Sequence, residues 1–214
     1  MNYSSEIWKD MQGANGKRMD DTLNYYNSKA KEFVSGTVDV NFTEIQDVFL
    51  GMIPTGGKIL DFGCGSGRDT KYFLSKGYEV DASDGSEELC KIASQYTGIK
   101  VKQMLFEELD VVEEYDGIWA CASILHVKKN QLPDVIKRIA IATKNDGIVY
   151  VSFKYGDFEG VRNGRFFTYL TEQSFGEILD EIPELIIEKS WISADVRAER
   201  GKEQWLNMLL RKQA

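Results

Sequence analysis

The residues with the clearest chemical meaning are three glycines at alternate positions in Asp61-Phe-Gly-Cys-Gly-Ser-Gly67, a turn that follows an apolar run at 58–62 and opens a helical pattern. Glycine at 63, 65 and 67 lets the backbone turn sharply and approach a ligand closely, and the helix start beyond offers unpaired amides. The spacing separates two ligand classes. A dinucleotide turn reads GxGxxG and needs glycine at 68, where this chain has Arg68; the pattern here is GxGxG. Asp84 closes the next apolar run, 21 residues after Gly63, where a carboxylate can accept hydrogen bonds from both hydroxyls of a ribose.

Other side chains could act beside such a site. His126, the one histidine of the chain, lies just past the fourth apolar run, at the edge where ligands of open α/β sheets bind, and is a candidate base. In the segment 155–169, which reads as the loop after the fifth strand, Arg162 and Arg165 stand among Phe166, Phe167 and Tyr169, a composition suited to binding an anionic group and closing over a ligand. Tyr25 and Tyr26 sit on a helical pattern at 21–34 and are placed to cap the site, one phenol facing a cation, while helical spacing turns at least one of them into the core. Cys64, Cys90 and Cys121 never form a CxxC pair; with a single histidine, this predicts no metal site and packing roles for Cys64 and Cys121.

These residues need a scaffold, and the hydrophobic pattern supplies one. Helical spacing at 43–53 follows Thr43-Glu-Ile-Gln46, which reads as a capping box. From Lys58, strands at 58–62, 78–83, 99–105, 115–122 and 147–154 alternate with helices at 67–76, 86–95 and 131–143, the order of right-handed βαβ units. After a helix at 171–180, runs at 185–193 and 203–211 follow without a helix between them and predict an antiparallel hairpin. The expected fold is α/β: a doubly wound, mostly parallel seven-stranded sheet with helices on both faces and a C-terminal antiparallel hairpin. The 214 residues predict one compact unit, with 1–55 as an N-terminal helical cap or extension and 56–214 as the ligand-binding domain.

Composition narrows the partners. With 26 Lys plus Arg against 34 Asp plus Glu, the net charge is −8, which disfavours a broad nucleic-acid footprint. No apolar run approaches the roughly 18 residues of a membrane span, and the opening lacks the basic-then-apolar order of a secretory signal, so a cytoplasmic protein is expected.

The run ILDFGCGSGRD, followed by a strand ending at Asp84, resembles the class I S-adenosylmethionine-dependent methyltransferases. YDGIWACASILHV is similar to the fourth motif of that family and GIVYVSFKYGDFEG to its fifth strand. The resemblance covers about 20–212 and is nearest to the small bacterial tellurite-resistance-type branch. It implies S-adenosylmethionine as cofactor, with Gly63, Gly65 and Gly67 along the methionine and ribose moieties. Asp61 would orient the loop or the ammonium group, Arg68 would reach the carboxylate, and Asp84 would bind the ribose. Phe106 with its backbone amide, or Glu107, would read the adenine. Family members usually follow the ribose-binding acid with a bulky apolar residue over one adenine face, whereas this chain has Gly85.

The resemblance carries no substrate. Small size and the lack of a recognition domain predict a small-molecule acceptor, contacted by Tyr25, Tyr26, Arg162 and Arg165. The alternatives are a protein or RNA methyltransferase working with a partner, and a protein that holds S-adenosylmethionine without turnover. No compact Asp/His or Tyr/Lys constellation stands in the sequence, which favours thiol, selenol or oxyanion acceptors that need no general base. The oligomeric state is not legible.

Overall fold

The computed structural model describes residues 21–197, 201 and 203–213; the first 20 residues of the expected extension, and part of the loop around Gly201, lie outside the described residues. In chain order the elements are α1 (21–35), α2 (Thr43–Leu50), β1 (Lys58–Phe62), α3 (Arg68–Ser75), β2 (Glu79–Asp84), α4 (Glu87–Thr97), β3 (Lys102–Gln103) and β4 (Tyr115–Ala120). There follow α5 (Leu132–Ala142), β5 (Thr143–Lys154), β6 (Glu159–Arg162), β7 (Arg165–Thr168), α6 (Glu172–Leu179), β8 (Leu185–Ala194) and β9 (Gln204–Lys212).

Seven strands form one sheet in the order β3-β2-β1-β4-β5-β9-β8. The first five pair in parallel, and β9 runs antiparallel between β5 and β8. This is a Rossmann-like sheet finished by a hairpin, as the pattern predicted. Its order reverses between β1 and β4, the point at which an open parallel sheet leaves a crevice beyond its carboxyl ends.

Alternation along the central strands builds a core on each face. Leu60, Ile118 and Val149 pack with Ile136 and Ile139 of α5 on one side. Ile59, Trp119 and Tyr150 pack with Phe49 of α2 and Phe73 of α3 on the other. Trp119 is fully buried and stacks on Tyr150 with ring centroids 4.0 Å apart. Helix α4 starts as expected, with Ser86 Oγ accepting from the Leu89 amide at 3.2 Å.

Three local expectations are corrected. The capping box at 43–46 does not form: α2 has Phe42 at its N-cap, Thr43 Oγ1 donates to Asn41 Oδ1, and Gln46 Nε2 donates to Asp69 Oδ1 at 2.6 Å. A buried carboxylate in need of donors outweighs an exposed helix end that water can satisfy. The strand expected at 99–105 shrinks to two residues, because this edge strand meets only Ser83 and Asp84 before the chain turns into a 3-10 segment at Phe106–Glu108. The segment 155–169, read as a loop, contains the antiparallel pair β6–β7, turned at Asn163-Gly164 with both residues left-handed.

Candidate active site

Two adjoining cavities open at the carboxyl ends of β1, β2, β4 and β5. The smaller, ≈ 80 Å³, is an apolar slot walled by Leu23, Leu89, Met104, Leu105 and Phe106, with Asp84 beside it. The larger, ≈ 170 Å³, runs from the glycine turn past Arg68, Lys154, Arg165 and Phe167 to the start of the β8–β9 loop at Asp195–Arg197. Tyr26, Phe33, Gly63, Gly65, Ala122 and His126 line both and form the junction.

The glycine turn has no room for side chains. Gly63 and Gly65 are left-handed, at φ 85° and 55°. A Cβ on Gly63 would collide with that of Ser123, and one on Gly65 would meet the Phe33 ring at 3.0 Å. Asp84 is held beside the turn: its Oδ2 accepts from the Gly65 amide at 2.9 Å and its Oδ1 from the Ser86 amide at 2.8 Å. Burial raises its pKa, and these two amides oppose the rise. Across the junction Ala122 takes a left-handed φ of 51°, a strained conformation for a residue with a Cβ, with its amide donating to Ser152 Oγ at 2.8 Å.

Under the turn lies a buried polar network. Asp69 accepts from Gln46, from Trp119 Nε1 at 2.9 Å, and from Arg68 through Nε at 2.7 Å and Nη2 at 2.9 Å. Arg68 also stacks its guanidinium over Phe42 at 4.7 Å. Asp61 accepts from Thr70 Oγ1 at 2.5 Å; burial, then the charge of Asp69, pushes its pKa up to about 8.

His126 has both ring nitrogens engaged. Nδ1 lies 2.6 Å from the Phe166 carbonyl and must donate to it, so in the neutral ring Nε2 accepts from the Tyr26 hydroxyl at 2.8 Å. Burial lowers its pKa to about 4, with Arg165 and Lys154 adding to the effect. With both nitrogens engaged, His126 presents no free ring nitrogen to the cavities it lines. Arg165 stands beside the Tyr26–His126 pair, its Nη1 3.5 Å from the Tyr26 oxygen.

The residues expected at the site divide. Gly63, Gly65, Arg68, Asp84, Phe106, His126, Tyr26 and Arg165 line the cavities. Asp61 does not: it is 2 % exposed and turned beneath the loop onto Thr70. Gly67 faces α4, where a Cβ would press on Thr97 at 2.8 Å. Glu107 is exposed on the outer side of the 3-10 segment, leaving Phe106 as the slot residue. Tyr25 lies under the Arg165 guanidinium at 4.7 Å, away from the cavities, and Arg162 is exposed and stacked on Phe158 at 3.9 Å. Sequence reasoning missed Phe33, Leu23, Asp195, Arg197 and Trp205 as site residues; of these, Leu23 and Phe33 share the helical spacing of Tyr26.

Comparison with known proteins agrees with this geometry. A methyltransferase-domain family model matches residues 59–147, from β1 to the start of β5. An uncharacterised methyltransferase of Staphylococcus carnosus (strain TM300) is 26% identical over 196 residues, covering 87% of this chain and 91% of its own length. The probable S-adenosyl-L-methionine-dependent methyltransferase TehB of Haemophilus influenzae (strain 10810) is 24% identical over 131 residues, spanning 59% of this chain but 46% of TehB. Among solved structures, the Burkholderia thailandensis 1,6-didemethyltoxoflavin-N1-methyltransferase superposes with a TM-score of 0.72 at 23% identity, over 95% of this chain and 90% of that one. Fold, glycine turn and these matches support one class: residues 59–147 match a methyltransferase domain within a Rossmann-like fold, and the chain is similar to S-adenosylmethionine-dependent methyltransferases, a likeness that implies S-adenosylmethionine as the cofactor. Among the described residues no helix is long and apolar enough to cross a membrane, and no His/Cys/Asp/Glu grouping is able to hold a metal ion.

Proposed function

We propose that this chain methylates a small acceptor carrying an anionic group, bound in the larger cavity against Arg165. The observation that carries the reading is the state of the cations lining that cavity. Arg68 is paired with Asp69, Arg197 with Asp195 and Lys154 with Glu203. Arg165 has no carboxylate partner among the described residues, and its Nε is buried without a hydrogen-bond partner. Arg165 lines the cavity with no carboxylate to neutralise it, so an acceptor that brings an anionic oxygen to its guanidinium gains a charge-assisted hydrogen bond. The aromatic faces of Tyr25, Tyr26 and Phe167 lie 4.7, 5.8 and 5.1 Å from the guanidinium carbon and fix its position.

The glycine turn and the slot fit the cofactor: Gly63 and Gly65 bring bare backbone to the cavity wall, Gly65 against the Asp84 carboxylate, and the slot behind is apolar and suited to a nucleobase. In this reading Asp84 binds the ribose, Phe106 contacts the adenine and Arg68 stands near the methionine end. S-adenosylmethionine, when bound, supplies a methyl group activated by its sulfonium charge. The residues at the junction do the rest. Phe33 and Tyr26 exclude water, Arg165 orients the acceptor so that its lone pair faces the methyl carbon, and the displacement runs in line.

Proton transfer is a minor part of this mechanism. A proton leaving the acceptor can pass through the Tyr26 hydroxyl to His126 Nε2, but an imidazole whose pKa is lowered to about 4 is a weak base at neutral pH. The site therefore suits acceptors that are already anionic or acidic enough to ionise unaided, such as oxyanions and thiols. The test is a screen in which S-adenosylhomocysteine release is followed with matched acceptors that differ only in an anionic group. Turnover of the charged members, lost in Arg165→Met, is expected; equal turnover of charged and neutral members would refute the reading.

A further inference from the structure

Gly85, directly after Asp84, is the one glycine near the slot whose identity the backbone does not require, since its φ lies outside the left-handed region. What crowds a side chain there is the tip of Leu23. A Cβ built on Gly85 would meet Leu23 Cδ2 at 2.8 Å and Leu105 Cδ2 at 3.4 Å. Leu23 comes from α1, more than 60 residues away in sequence, and with Leu105 and Phe106 it walls the slot beside the Asp84 carboxylate.

We infer that Leu23 supplies the apolar surface over the cofactor's adenine that residue 85 leaves missing, making α1 a structural part of the nucleobase pocket. This rests on the reading of the slot as the adenine site. Helix α1 is fixed for the purpose at three places. Asn27 Oδ1 accepts from Ser86 Oγ at 2.7 Å and from the Glu88 amide at 3.3 Å, beside the slot. Thr22 Oγ1 accepts from the Phe166 amide at 3.0 Å, and Tyr26 bonds His126. The same helix that reads the base therefore carries the tyrosine at the acceptor junction, so loss of the Leu23 contact loosens the cofactor end of the site without touching Arg165.

The proposal makes residues 23 and 85 exchangeable in volume. Calorimetric titration with S-adenosylhomocysteine and with 5′-methylthioadenosine, which keeps base and ribose but lacks the amino-acid moiety, reads the effect in wild type, Leu23→Ala, Gly85→Leu and the double variant. Leu23→Ala is expected to weaken both ligands by the same factor, about tenfold, as for loss of an apolar contact in a binding pocket. Gly85→Leu weakens both through its clash with Leu23, and the double variant, with the leucine now rooted at 85, recovers to within about threefold of wild type. Thermal melts of each variant separate lost binding from lost folding, and Gly85→Ala, which needs only a small shift of the Leu23 tip, serves if Gly85→Leu does not fold. Wild-type affinity in Leu23→Ala, weakening confined to S-adenosylhomocysteine, or an additive double variant would overturn the inference while leaving the cofactor site standing. A wild-type protein that binds neither ligand would overturn both.

Discussion

Replacing His126 with glutamine gives a pH-dependent change in stability whose size follows from the structure. In the folded chain His126 is neutral, donating to the Phe166 carbonyl and accepting from Tyr26, and burial with two nearby cations lowers its pKa from 6.5 to about 4. In the unfolded chain it titrates near 6.5. Between these values the unfolded state binds a proton that the folded state does not, so stability is fully present above pH 6.5 and is lost as pH falls toward 4. The lowering of 2.5 units corresponds to about 3 kcal/mol in full, of which about 2 kcal/mol is gone by pH 5. Glutamine removes the titration. At pH 7.5 the variant is less stable than wild type by about 1–3 kcal/mol, because Tyr26 or the Phe166 carbonyl loses a partner. That deficit should narrow by about 2 kcal/mol between pH 7.5 and pH 5 in urea unfolding of the two proteins, since every other titrating group is common to both. A deficit that stays constant across this range would mean that the folded imidazole titrates normally, and the neutral Tyr26–His126 arrangement would be wrong.

Three further outcomes are expected. Gly65→Arg places a side chain against Phe33 on a left-handed residue, and Asp84→Ala removes the acceptor of the Gly65 and Ser86 amides; calorimetry should show S-adenosylhomocysteine binding abolished or strongly weakened in both, with circular dichroism close to wild type. Arg165→Met should raise the acceptor KM by about tenfold or more while leaving S-adenosylhomocysteine affinity unchanged, because this cation serves the acceptor cavity alone. Trp119→Phe keeps most of the packing on Tyr150 but takes one donor from buried Asp69; a loss of about 1–2 kcal/mol in urea unfolding is expected, and an unchanged midpoint would show that the Asp69 network does not depend on it.

The sheet was legible because its signals are local. Strands of alternating burial separated by helices of about ten residues admit few topologies, and Asp61–Gly67 fixed where the first crossover begins. The position of the proposed cofactor residues was legible for the same reason, with Gly63, Gly65 and Asp84 each tied to a strand end and each on the cavity wall. What lay beyond reach was set by contacts between distant segments. Whether Asp61 faces the ligand or the interior depends on Thr70 and Asp69 competing for it from below. Which of two adjacent tyrosines enters the cavity depends on the rotation of α1, set by Thr22 and Asn27 bonding β7 and α4. The hairpin β6–β7 escaped notice because its strands are four residues long and its turn, Asn163-Gly164, lies among polar residues that read equally well as a loop. Gly85 looked like a gap in the adenine pocket, and only the fold shows Leu23 beside it.

The account stands most directly on cofactor choice, which calorimetric titration of the wild-type protein with S-adenosylmethionine, S-adenosylhomocysteine and NAD decides. It predicts micromolar binding of the first two, absent in Asp84→Ala, and no heat from NAD. A folded, ligand-free sample that is silent to both sulfur compounds, or that binds NAD instead, would contradict it.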